Sequence, residues 1–195
     1  ARMSYNLEIE LSKRAIPFQK FGGPKFMETA HIKDVVAHLR VILNPDDVIS
    51  LTRILLLLKG VGASTVNNIM PIIKGDLNPD IKLLPSNKSQ SLTPLFNTLG
   101  QLRDYSTTKK PEEIVSAIIN YYRPILKDKY DDFSKREKDL DHFEYLSTQY
   151  SNLEDFISDL ALEPPDASVE GMYKKNSDDE ALTISTIHSA KGLEW

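Results

Sequence analysis

The strongest constraint on how this chain folds is a change of hydrophobic period along it. From Glu28 to about Leu162 the apolar residues recur at helical spacing, while the two flanks carry short runs in which apolar and polar residues alternate. One such run is Ile16-Pro17-Phe18-Gln19-Lys20-Phe21, ending at Gly22-Gly23; the other is Leu182 to Ile187. A helix buries a stripe and a strand buries a face, so a helical unit inserted into a loop of a sheet-containing unit is the expected architecture. The predicted boundaries are 1–27 for the first α/β segment, 28–162 for the helical domain, 163–180 for a linker and 181–195 for the second α/β segment.

Within the helical part, Ile32, Val35, Val36, Leu39 and Ile42 mark a first helix that stops at Asn44-Pro45. Asp46-Asp47 then favours a second helix, to about Leu58, because carboxylates suit the unpaired amides at a helix start. Gly60-Val61-Gly62 separates it from a helix at Ala63–Ile73, with Ser64 and Thr65 at its start. Gly75 to Pro94 is rich in Pro, Asn, Ser and Asp and predicts an exposed loop without packed structure. Helical spacing returns over Leu95 to Leu102 and again from Pro111, where Ile114, Ile118 and Tyr121 are expected to face inward. Tyr130 to Tyr150 predicts one long charged helix burying Phe133, Leu140, Phe143 and Leu146. Ser151-Asn152-Leu153-Glu154 has capping-box spacing, predicting a serine cap for a last helix to about Leu162. Ahead of all these, Tyr5 to Arg14 reads as a short amphipathic helix with Leu7 and Leu11 one turn apart.

Composition narrows the class. The 195 residues are 41% hydrophobic, enough for one sizeable core, and no apolar run is long enough for a membrane helix. There is no cysteine, which excludes a disulfide framework and a thiolate metal site and fits an intracellular origin. A net charge of -4 argues against general coating of nucleic acid, so any DNA contact must be local. Ala1 is not an initiator methionine, and Trp195 closes a motif without a polar tail, so the chain is expected to be a cut-out of a longer protein.

The run Thr186-Ile187-His188-Ser189-Ala190-Lys191-Gly192-Leu193-Glu194-Trp195 resembles motif V of superfamily 1 helicases of the UvrD, PcrA and Rep group. Ile16-Pro17-Phe18, then Gly22-Gly23-Pro24-Lys25-Phe26 and Ile32-Lys33-Asp34, look like that family's entry into its second accessory domain, usually called 2B. Leu39-Arg40 and Asn44-Pro45-Asp46-Asp47 extend the match, and Gly60-Val61-Gly62-Ala63-Ser64-Thr65 is similar to the glycine turn inside 2B. From about Gly75 to Leu162 the likeness is one of helical character alone.

The resemblance implies a mainly α fold, a 2B-type domain inserted in a RecA-like 2A domain present only as its edges. It also implies a fragment of a 3′-to-5′ ATP-dependent DNA helicase that contacts a single-strand/duplex junction and regulates unwinding, with repair or recombination proteins as partners and no membrane. By the same resemblance, Arg2, Ser4, Lys25, Thr186 and His188 face single-stranded DNA, and Gly192 and Glu194 belong to the nucleotide site, Glu194 reaching the ribose of ATP. Gly60, Val61, Gly62, Ser64 and Thr65 are the candidate duplex contacts. Glycines let the backbone approach a duplex closely and a helix start offers amides to a phosphate, as in a helix-hairpin-helix turn. No G-x-x-x-x-G-K-[ST] loop occurs, so the fragment is expected to be inactive as an ATPase, with ATP and Mg2+ held by the full-length parent. The alternatives are a helicase-nuclease subunit of recombination repair and a helical protein-interaction module that touches no DNA.

Overall fold

The computed structural model describes residues 2–21, 26–73, 75–79, 86–161 and 181–185. Among them are eight α-helices and two short strands, a mainly α architecture. The chain packs as two units, Ala30–Ile157 and a second drawn from both ends, Ala1–Thr29 with Ser158–Trp195.

In the two-ended unit, helix α1 (Arg2–Lys13) leads to strand β1 (Phe18–Phe21), which pairs in parallel with β2 (Leu182–Ser185), Phe18 opposite Leu182. Parallel strands need a crossover between them, and here the crossover contains the whole helical unit. Ile9 and Leu11 of α1 are buried, but Leu7, expected to share their face, is 46% exposed. The inward stripe is completed instead by Glu8, whose Oε1 lies 2.6 Å from Lys20 Nζ of β1 and whose Oε2 accepts the Phe26 amide at 2.9 Å. A buried carboxylate joined to two other segments outweighs the burial of one leucine.

Helix α2 (Ala30–Leu43) is the axis of the helical unit: Ile32, Val35, Leu39, Val41 and Ile42 are all buried. It packs against α3 (Val48–Leu55), α5 (Ser89–Tyr105), α6 (Pro111–Lys129) and α7 (Phe133–Ser147). Arg103 of α5 donates to the carbonyls of Ile42 and Leu43, satisfying acceptors that the end of α2 leaves open. Asp47 caps α3 by accepting the Ser50 amide at 3.0 Å. The second predicted helix stops short of Leu58: α3 ends at Leu55, and single turns carry the chain onward to Gly60.

Several expectations are corrected. The presumed loop from Gly75 to Pro94 contains a 3-10 turn at Ser86–Lys88 and the first turns of α5, and its Leu77 and Leu92 are buried. Pro94 is tolerated because one missing amide is offset by Leu92, Leu95, Phe96 and Leu99 entering the core. On α6, Tyr122 is fully buried, not Tyr121, because its hydroxyl has a buried acceptor. Phe133 is half-buried, beneath Lys127 Nζ, whereas Leu140, Phe143 and Leu146 enter the core. Helix α8 (Leu153–Ala161) is capped by Asn152 in place of Ser151: the Asn152 Oδ1 accepts the Asp155 amide at 2.8 Å, and its Nδ2 donates to Asp155 Oδ2 at 2.7 Å. The cap acts one residue later because Asp155, three positions beyond Asn152, can return a side-chain bond.

Candidate nucleic-acid interface

The turn between α3 and α4 (Ala63–Ile73) is the one predicted contact surface that lies wholly within the described residues. It begins where Leu58 is buried and its carbonyl accepts the Val61 amide at 3.1 Å. Gly60 has φ +74, a conformation that a side chain makes costly. Val61 is 7% exposed, so its side chain anchors the turn in the core and its amide is already used; of the predicted duplex residues it offers no outward group. Gly62 has open space where a Cβ would stand, and its carbonyl accepts the Val66 amide at 3.0 Å, beginning α4. Ser64 is exposed and Thr65 half-buried in the first turn, where backbone amides have no preceding helical partner.

Two cations that sequence reasoning did not select flank this turn. A Cβ on Gly60 would stand 3.1 Å from Lys88 Nζ, so the ammonium lies directly against the glycine. Lys59 is exposed, and Ser91 Oγ of α5 donates to its carbonyl at 3.2 Å. Neither lysine forms an ion pair among the described residues. Only the three-dimensional packing brings Lys88 to Gly60; it lies in the segment that composition marks as a loop.

The turn is held by a polar centre in the core. Asp34 of α2 is 1% exposed; Arg53 of α3 donates to its Oδ1 from Nε at 2.7 Å, and Tyr122 of α6 donates to its Oδ2 at 2.7 Å. Arg53 also donates to the Ala30 carbonyl, so α3 is locked to α2 just ahead of the turn. Burial, then the Asp34 charge and hydrogen bond, push the Tyr122 hydroxyl well above the usual tyrosine range, so it stays a donor. His38, one turn along α2, gives its Nδ1 proton to the Asp34 carbonyl at 2.7 Å, and burial lowers its pKa to about 4. It is therefore a neutral core residue. His31 is likewise structural: Arg136 can only donate to its Nδ1, leaving Nε2 to donate to Asp139, each at 3.2 Å.

Arg2 and Ser4 belong to α1, in the other unit. Lys25, Thr186, His188, Gly192 and Glu194 lie outside the described residues. Among the described residues no cluster of His, Asp and Glu could hold a metal ion, and no helix is long and apolar enough to cross a membrane.

Known proteins place the chain. The ATP-dependent DNA helicase PcrA of Bacillus subtilis (strain 168) is 29% identical over 209 residues, covering 97% of this chain and 28% of that protein. The DNA helicase II of Rickettsia typhi is 26% identical, covering 93% of this chain and 29% of its own length. A probable DNA helicase II homolog of Mycoplasma capricolum subsp. capricolum is 30% identical over 98% of this chain and 28% of that protein. The chain thus spans less than a third of the length of these relatives. The description that matches residues 1–195 is that of the UvrD-like helicase C-terminal domain, and the chain belongs to that family.

Proposed function

We propose that this chain is the duplex-engaging, 2B-type part of an ATP-dependent 3′-to-5′ DNA helicase, bounded by pieces of its 2A domain. The observation that carries this reading is the turn itself: Gly62 open to solvent, the start of α4 beside it, and Lys59 and Lys88 flanking Gly60. Such a surface suits a phosphate backbone and reads no base, as a motor moving over any sequence requires. The names of the relatives, ATP-dependent DNA helicase and DNA helicase II, support DNA as the partner. In this reading the segment around Thr186 and His188 contacts the single strand, with Arg2, Ser4 and Lys25 contributing, and Gly192 and Glu194 complete a nucleotide site. ATP, Mg2+ and the hydrolytic machinery belong to the longer protein, which acts in the cytoplasm at the nucleoid with repair or recombination proteins.

The test is fluorescence-anisotropy binding of a fork with a 3′ single-stranded tail, at low and moderate salt. The native chain is expected to bind weakly and to release the fork as salt rises. Gly62→Asp, Lys88→Glu and the pair Gly60→Asp/Gly62→Asp are expected to abolish binding. Absence of binding by the native chain would reject duplex docking and favour the protein-interaction module.

A further inference from the structure

Beside the turn, α5 and α6 enclose an open groove of about 680 Å³, a size typical of ligand sites. Its walls are apolar: Leu57, Leu58, Pro94, Tyr121, Pro124 and Ile125. Two of these are prolines inside helices. A proline has no N–H, so the carbonyl four residues earlier loses its intrahelical donor. Those carbonyls belong to Gln90 and Asn120, and both residues line the same groove. Lys59 and Lys129 also line it, against one carboxylate, Asp128. The Lys129 ammonium lies 3.7 Å from Asp34 Oδ2, which Tyr122 already occupies. The groove is thus net positive in a chain of net charge -4.

We infer that this groove binds a peptide segment of a partner protein that carries apolar side chains interspersed with carboxylates. The walls take the apolar side chains, the lysines take the carboxylates, and the peptide amides can donate to the Gln90 and Asn120 carbonyls in place of the helical amides that the prolines remove. Nucleic acid fits less well: its backbone phosphates only accept hydrogen bonds, and apolar walls would strip them of water without return. The groove shares Leu58 and Lys59 with the turn, so Ile125→Asp, which alters the groove wall on α6 and not the turn, distinguishes the peptide site from duplex docking.

The probe is a short fluorescein-labelled peptide alternating leucine with glutamate, titrated by anisotropy into the full chain, beside a leucine–lysine peptide and a backbone N-methylated copy. Binding is expected for the first alone, weakened about tenfold by Lys59→Glu and by Ile125→Asp. Pro94→Ala and Pro124→Ala separate recognition from folding: each restores a helical hydrogen bond, so thermal stability rises while peptide affinity falls several-fold. The inference is overturned if the leucine–glutamate peptide fails to bind or if both proline variants bind it as well as the native chain. It is equally overturned if sedimentation shows a second copy of the chain filling the groove, or if Ile125→Asp releases a DNA duplex while leaving the peptide bound.

Discussion

The Tyr122 hydroxyl donates to the buried Asp34 Oδ2 at 2.7 Å, joining α6 to the axial helix α2, while Arg53 joins α3 to the other oxygen of the same carboxylate. Tyr122→Phe removes one donor and is expected to cost about 1–2 kcal/mol. Asp34→Ala takes the acceptor from both partners and is expected to cost about 3 kcal/mol, since it leaves buried polar groups unpaired. Urea unfolding with a common slope measures both, and a smaller loss for Asp34→Ala than for Tyr122→Phe would contradict the hub.

The turn separates conformation from contact. Gly60→Ala meets φ +74 and Lys88 Nζ 3.1 Å from its new methyl, and is expected to cost about 1–2 kcal/mol. Gly62→Ala, with nothing within 4 Å of its Cβ, is expected to change stability by less than about 0.5 kcal/mol. Equal losses in thermal unfolding would refute this difference.

Stability should fall on acidification in a defined window. His38 has an ordinary pKa of 6.5 and a folded value of about 4, lowered by burial. Between these values the unfolded chain takes up a proton that the folded chain refuses, so stability declines as pH drops from 6.5 and levels off below about 4. The loss amounts to about 3 kcal/mol. His38→Gln is expected to flatten unfolding free energy across that window. Asp47 acts lower: burial raises its pKa, but the Ser50 hydrogen bonds and the Arg40 charge outweigh this, so its stabilisation is lost only as pH falls through and below 3.8.

The start of α8 tests the reassigned cap. Asn152→Ala is expected to cost about 1 kcal/mol and Ser151→Ala less than about 0.5 kcal/mol, measured by chemical unfolding. The reverse order would restore the serine cap.

Local signals along the chain were sufficient for the helical starts at Ala63 and Pro111, the stop at Asn44-Pro45 and the strands at both ends. Each depends on residues close in sequence: a period, a cap, a proline or a glycine. The glycine turn was legible for the same reason. What surrounds it was not, because Lys88 reaches Gly60 only once the start of α5 meets the turn, where Ser91 donates to the Lys59 carbonyl, and Asp34 acquires Arg53 and Tyr122 only when three helices converge. Likewise the spacing on α6 suits either Tyr121 or Tyr122 as the inward residue. The position of Asp34 decides between them, since a buried carboxylate selects the neighbour able to donate to it. Sequence alone determined that the middle of the chain is helical and placed several of its breaks, but not the start of α5 inside the Gly75–Pro94 segment or the early end of α3 at Leu55. Tertiary packing decided which polar groups meet, because partners far apart in the chain leave no periodic trace in it.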